Sequence, residues 1–447
     1  MKSEQEKMDV SKYRDVNMDK EECKDFRLNK FKFAHIADCH LGRWNKEPHK
    51  SNEINAFELA IKTSVSEKVD FILISGDLFD STVPNLDTAD KVFELLKYVK
   101  DKGIEIYMIF GSHDNSRNRQ SIAKLLSTSG IVNYVGGPAV STGQPMFFKD
   151  KKTGALITGI DGLTGGTESQ IYDEMDRELL EEMEGFKIFM FHSAINEYLP
   201  ENLWMIEGID LDKFPEGFDY YAGGHIHRMA ITGDEKHHSI AYPGPLYGAD
   251  YRDFQKTAEG ESKGFYLVEV EDGTLEINFM EIEIDEFIYH EIKLHDLTAQ
   301  QIRKKLDEFN PDVKGKNVMI KLTGTLKGGS EGELHINEFN KRLKKAGARD
   351  VLTNIRGVTV ELEEINVKRV EGMGKEEIEN LILSEEQEKF DKGHIGMTND
   401  DIMGDNGIKK GKQLIEALRE EKKHKEKKGD YENRVCAEAM HHFKVAR

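Results

Sequence analysis

Cysteine is scarce: Cys23, Cys39 and Cys436 are the only three in 447 residues. Their separations are not those of zinc-binding pairs, so the sequence excludes a disulfide scaffold and a thiolate cluster, and it fits a reducing compartment. Long apolar runs are missing too. No stretch approaches the roughly 20 apolar residues that cross a bilayer, and residues 1–30 are polar with no signal-peptide core, so the cytoplasm is the expected location. Positive charge is in deficit, with 63 Lys and Arg against 83 Asp and Glu and a net charge of -20. A polyanion would approach such a chain only at a locally basic groove or where bound cations supply the missing charge.

What is present points to a globular α/β protein. With 33% charged and 38% hydrophobic residues, the chain is long enough for two or three domains with separate cores. Its organising stretch is FILISGDLFD at 71–80. The four apolar residues Phe71 to Ile74 fit a strand covered on both faces, and Gly76 then turns the backbone so that Asp77 leaves the carboxyl edge of the sheet. Four further segments repeat this design, a strand ending in a carboxylate or an imidazole: FKFAHIADCH at 31–40, IEIYMIFGSHD at 104–114, FKIFMFHS at 186–193 and FDYYAGGHIH at 218–227. Between the first three lie amphipathic helical stretches, 52–68 with Ile54, Phe57, Ile61 and Val65, and one with Val92, Leu95, Leu96 and Val99. Strand, helix, strand, helix, strand implies right-handed parallel units.

Four segments follow from this reading. Residues 1–30 mix both charges and read as a loosely ordered extension. Residues 31–284 form the principal domain, two stacked sheets with helices outside; the stretches 239–248, 263–270 and 274–284 read as antiparallel strands closing the second sheet. Residues 285–371 alternate FIYHEIKL, a helix over 298–309, NVMIKLTG, a helix over 336–346 and a strand near 357–365, a small α+β domain. Residues 372–447 are a highly charged tail with helices at 376–384 and 409–428, the latter carrying Leu414, Ile415 and Leu418 on one face. A short amphipathic helix outside a folded core needs a partner to bury its stripe.

Singly, each edge residue has a plain structural reading, since Asp after Gly begins turns and a lone His at a strand end is commonly structural. Collected, they are a ligand set. Asp38, His40, Asp77, His113, His192, His225 and His227 all fall on one edge, and mixed carboxylate and imidazole without thiolate suits manganese, iron or zinc.

The ordered series DCH, GD, GSHD, FHS and GHIH resembles the signature of calcineurin-like metallophosphoesterases. The resemblance implies that Asp38, His40, Asp77 and His227 hold one ion, that Asp77 bridges to a second held by His192 and His225, and that His113, oriented by Asp114, acts on the phosphate. Ser112 stands where the family places an asparagine ligand, and a hydroxyl is the shorter and poorer ligand. HIADCHLGR, ILISGDLFD, the YPGP segment after GHIH and the order of core, cap and charged tail are similar to the break-repair nucleases of the meiotic-recombination-eleven and SbcD type. That likeness implies a two-metal, manganese-dependent exonuclease and endonuclease on DNA ends, a homodimer, and a tail that binds a coiled-coil ABC-type ATPase. Arg43, Trp44, Asn115, Arg117, Arg119 and Arg228 flank the motifs and are candidate DNA contacts. Two other readings stay open: a phosphodiesterase of the same superfamily for small phosphoesters, and a DNA-bridging scaffold with weak nuclease activity.

Overall fold

The computed structural model describes residues 30–114, 121–163, 168–199, 208–327, 330–360, 373–389 and 404–419, with Tyr431 and Arg434. The extension expected over most of 1–30 lies outside them. The chain divides into two compact units, Met1–Glu361 and Leu362–Arg447.

The first unit opens with strand β1 (Lys30–Ile36), helix α1 (His49–Ser66), β2 (Phe71–Ser75), α2 (Leu86–Asp101) and β3 (Glu105–Ile109). The three strands pair in parallel, as the strand-helix alternation predicts. The chain continues through α3 (Ile122–Thr128), β4 (Asn133–Tyr134), α4 (Gly137–Thr142), β5 (Phe148–Lys149), β6 (Leu156–Ile160), α5 (Ser169–Glu174), α6 (Arg177–Glu181) and β7 (Lys187–His192). Next come β8 (Tyr220–Gly224), β9 (Ala230–Thr232), β10 (Ile240–Tyr242), α7 (Tyr251–Ala258), β11 (Gly264–Glu271) and β12 (Thr274–Glu281). Two six-stranded sheets result, ordered β12-β11-β1-β2-β3-β4 and β5-β6-β7-β8-β10-β9.

The late strands divide between the sheets instead of closing the second together. β10 joins the second sheet parallel to β8, whereas β11 and β12 form a hairpin that adds antiparallel to β1 in the first. Each of the three stretches does contain a strand, as expected. Which free edge they extend depends on where β1 leaves an unpaired side, and no local pattern encodes that.

Period two explains the continuous apolar run of β2. Phe71 and Leu73 face inward between the sheets with Phe33, Met190 and Tyr220, while Ile72 and Ile74 face α1 and α2. Phe33 stacks on Phe71 at 5.1 Å and meets Tyr220 edge-on at 5.2 Å, so aromatic contacts lock the layers. α1 buries His49, Asn52, Glu53, Ala56, Phe57, Ala60, Ile61 and Ser64, one face at helical spacing. The polar members of that face do not belong to a packing stripe, and they turn out to serve the site.

Residues after 285 build a separate small sheet, β13 (Phe287–Lys293), β14 (Asn317–Leu326) and β15 (Asp350–Val360), all parallel, with α8 (Ala299–Glu308) and α9 (Ile336–Lys345) between them. Its core includes Ile302, Leu306, Ile320, Leu322, Phe339 and Leu343. β15 starts earlier than the strand expected near 357–365, and residues 361–365 lie outside the described ones. In the second unit, helices Lys375–Lys389 and Gly404–Leu418 pack with Gly411 against Leu383, pinned by Lys412 to Glu376 at 3.0 Å and Arg419 to Glu379 at 2.9 Å. No helix among the described residues is long and apolar enough to cross a membrane.

Candidate metal centre

Two chain turns set the geometry. The segment after β1 runs beside the segment after β2, with Asp38 N donating to Gly76 O at 3.1 Å, His40 N to Asp77 O at 2.9 Å and Leu41 N to Leu78 O at 3.0 Å. Asp38, His40 and Asp77 all sit at positive φ, 53°, 45° and 50°, and His225 joins them at 85°. Strained backbone at four candidate ligands marks a place where side-chain direction outweighs local comfort. Gly76 is required there, because its φ is +83° and a Cβ would strike the His192 ring.

The side chains converge. Asp77 Oδ2 lies 3.2 Å from His192 Nε2 and 3.6 Å from His40 Nε2, and His40 Nε2 lies 3.0 Å from His227 Nε2. Ligand atoms of Asp38, His40 and His227 are all within 4.8 Å of one another, as are those of Asp38, Asp77 and His192. The His225 ring adjoins this second group at 5.4 Å from the His192 ring. Backbone groups aim both carboxylates, since His225 N donates to Asp38 Oδ1 and His113 N to Asp77 Oδ1, each at 2.8 Å.

Tautomers follow from what lies behind each ring. His192 Nδ1 faces Ser75 O at 2.8 Å, and a carbonyl only accepts, so Nδ1 carries the hydrogen and Nε2 turns a lone pair into the site. His227 Nδ1 is held by Asp253 Oδ2 at 2.9 Å, which likewise frees Nε2. Asp38 Oδ2 and His192 Nε2 are buried without a hydrogen-bond partner. Two orphaned donor atoms of metal-ligand type, converging with imidazoles and carboxylates, fit divalent cations.

In the protein by itself the neighbouring carboxylates favour the charged form of two of these rings, each holding a proton that a bound cation would displace. Burial opposes charge on His192 and His227, yet Asp77 and Asp38 beside the first and Asp253 behind the second outweigh it, raising them to about 10 and about 9. Burial also opposes charge on Asp77, but the His192 and His40 rings pull its carboxyl far below the usual range. The pocket is built for negative oxygens facing positive charge. His225, by contrast, is pushed down to about 4 by burial and by His192, as a neutral ligand should be.

One expectation needs correction. Asp114 does not orient His113: its buried carboxylate accepts from Leu78 N at 3.1 Å, Phe79 N at 3.0 Å and Gly111 N at 3.2 Å, tying the turn after β2 to the turn after β3. The group behind His113 is Asp80, whose carbonyl accepts from Nδ1 at 2.8 Å and whose carboxylate also lies 3.4 Å from His40 Nδ1. Asp80 was within reach of sequence reading, three residues past Asp77 in GDLFD. Asp253 and Glu53 were not, since each sits on a helix with no motif around it.

Residues 31–229 match the calcineurin-like phosphoesterase family. These residues are a calcineurin-like phosphoesterase domain. Among curated proteins, the chain is 27% identical over 380 residues to the DNA double-strand break repair protein Mre11 of Archaeoglobus fulgidus, covering 80% of this chain and 78% of the relative. It is 29% identical over 280 residues to the protein of that name from Methanocaldococcus jannaschii, covering 58% of this chain and 69% of the relative. A match to four-fifths of the chain cannot fit inside the phosphoesterase domain, so the likeness runs on beyond it.

Around the phosphoesterase site, the residues predicted to meet DNA separate. Arg43 is exposed at the rim, with Nε donating to Ala249 O at 2.9 Å and a terminal nitrogen 3.5 Å from Asp80. Arg228 is exposed immediately after His227. Trp44 is corrected to a structural residue: it lies flat on Phe254 at 5.1 Å and donates to Gly248 O at 2.9 Å, packed against the core. Asn115, Arg117 and Arg119 lie outside the described residues. Ser112 occupies the turn that presents His113.

Proposed function

We propose that this chain is a divalent-metal phosphodiesterase that cuts DNA ends, as exonuclease and endonuclease, in double-strand break repair. The carrying observation is the convergence of Asp38, His40, Asp77, His192 and His227 on one pocket with Asp38 Oδ2 and His192 Nε2 left unpartnered. The similarity to break-repair proteins supports the choice of DNA as substrate. Asp38, His40, Asp77 and His227 would hold one ion; Asp77, His192, His225 and the Ser112 turn would hold the other, with manganese the best match to the donor set. When bound, such ions polarise a phosphodiester and lower the pKa of a coordinated water.

The chain's own residues do the rest. Asp38 and Asp77 are fixed by backbone N–H groups before substrate arrives, so little reorganisation accompanies binding. His113 is half-exposed at the mouth, its Nδ1 spent on Asp80, which leaves Nε2 as the atom that meets the phosphate and delivers a proton to the leaving oxygen. Arg43 and Arg228 stand at the rim as phosphate contacts, with Asn115, Arg117 and Arg119 continuing the loop beyond His113.

Partners follow the same reading. Val83 and Leu86, beside the start of α2, and Leu125 on α3 are 70%, 79% and 53% exposed, apolar side chains that a second copy of the chain would cover. The helices Lys375–Lys389 and Gly404–Leu418 are the proposed seat of a coiled-coil ABC-type ATPase. The work is placed in the cytoplasm, at the nucleoid. Ser112 favours a second reading, a DNA-bridging scaffold with weak cleavage. Labelled linear duplex incubated with the protein and Mn²⁺ tests both: shortening of the strands upholds the nuclease, binding without cleavage favours the scaffold, and hydrolysis of small phosphodiesters alone overturns both.

A further inference from the structure

The two imidazoles that meet at 3.0 Å, His40 and His227, are each supported from behind, and the supports share one group of rings. Asp253 holds His227, as described. Glu53, buried on α1, accepts from Gly42 N at 2.9 Å and Trp44 N at 3.2 Å, and so fixes the segment that follows His40. The Trp44 ring lies flat on Phe254, the residue after Asp253. Phe254 in turn lies flat on Phe287 at 4.7 Å and 23°, and Phe287 is the first residue of β13, the strand that opens the small domain after 285. His49 closes the group. It rests on Phe254 at 4.8 Å and on Trp44 at 4.9 Å, while its Nε2 reaches Asp350 of β15 at 3.0 Å.

We propose that Asp253 and Glu53 are positioning residues for His227 and His40, and that the small domain completes their support through Phe287, so that metal affinity depends on its being seated. The inference rests on the reading of His40 and His227 as metal ligands and extends it to residues that touch neither ion nor substrate. A carboxylate behind a ligating imidazole fixes its tautomer and direction, and its loss costs metal affinity about 10- to 100-fold. Phe254 passes the small domain's position to Asp253 because both sit on one turn of α7 and a close-packed ring cannot shift alone. Phe287→Ala opens space on the face of Phe254, which fills it by tilting and carries the Asp253 carboxylate off line.

The experiment is Co²⁺ titration of the full chain, without DNA, by calorimetry and by the visible absorption of the bound ion, beside thermal melting of each variant. Asp253→Asn is expected to weaken binding about 10-fold or more, and Phe287→Ala by a smaller factor of about 3, with an altered absorption band. Phe287→Tyr, which keeps the stacked ring, should bind as the parent does. Leu343→Ala, which opens a cavity in the small domain's own core, should lower the melting temperature and leave the Co²⁺ affinity unchanged. Parent-like binding by Phe287→Ala, or an equal loss in Leu343→Ala, overturns the role of the small domain; parent-like binding by Asp253→Asn overturns the positioning role. In each of those cases a parent that binds Co²⁺ leaves the metal centre standing. If the parent takes up no Co²⁺, the metal reading falls and the inference with it.

Discussion

At the scale of single residues, the site separates groups that face the reaction from groups that hold them. The His113 side chain is exposed, with Nδ1 bonded to the Asp80 carbonyl and its ring edge-on to that of His40 at 4.8 Å. His113→Gln is therefore expected to lower cleavage about 10²- to 10⁴-fold while Mn²⁺ affinity stays at the parent value. Equal loss of both would make His113 a ligand and not a proton donor. His35 makes a different prediction. It lies wholly buried between the sheets, its Nδ1 2.9 Å from the Tyr220 hydroxyl, and burial lowers its pKa to about 3. Because the folded value is below that of the unfolded chain, the native state binds fewer protons, so His35 lends its full stability above about pH 6.5 and withdraws it as pH falls toward 3. The slope from this one group is about 1.4 kcal/mol per pH unit. His35→Phe should flatten the acid limb of a stability-against-pH curve measured by chemical denaturation between pH 6.5 and 5; an unchanged limb would mean His35 is not the group responsible.

At the scale of elements, the decisive pieces are the turns that follow strands. β2 ends at Ser75, Gly76 turns at φ +83°, and Asp77 leaves at φ 50°. An added methyl at Gly76 faces both the left-handed penalty and a collision with His192. Gly76→Ala is expected to cost about 2 kcal/mol or more and to abolish Mn²⁺ binding, read by thermal melting and calorimetry. A stable variant with normal Mn²⁺ binding would mean that the turn tolerates what its geometry forbids. α1 illustrates how an element serves two masters. Phe57, Ala60 and Ile61 pack it on the sheet, while His49, Asn52 and Glu53 one turn earlier carry polar bonds to the small domain and to the segment after His40.

At the scale of the molecule, a net charge of -20 opposes the approach of DNA. The candidate metal centre sets the carboxylates of Asp38 and Asp77 among imidazoles whose charged form they favour, a proton charge that bound cations would replace. Two consequences follow. Mn²⁺ at about 100 times its dissociation constant should raise stability by about 2.7 kcal/mol, visible as a higher melting temperature that EDTA reverses. At fixed ionic strength, removing the ions should also weaken duplex binding, measured by fluorescence anisotropy. DNA affinity indifferent to EDTA would place the DNA on some other surface.

Much of this protein was legible in one dimension. Apolar runs ending at Asp38, Asp77, His113, His192 and His225 announced the strands and their shared edge, because a strand's direction and its exit residue are local properties. The alternation with helical stripes gave parallel units, and the motif order gave the family. Tertiary structure alone decided the rest. It sent β11 and β12 to the first sheet, since a hairpin does not record which free edge it will meet. It took Trp44 away from the rim and into a ring stack, gave Asp114 to three backbone N–H groups, and put Asp80 and Asp253 behind imidazoles of the candidate site and Glu53 behind the segment after His40. Support of that kind comes from residues far apart in the chain, and the spacing of a sequence carries no trace of which carboxylate will stand behind which imidazole until packing brings them together.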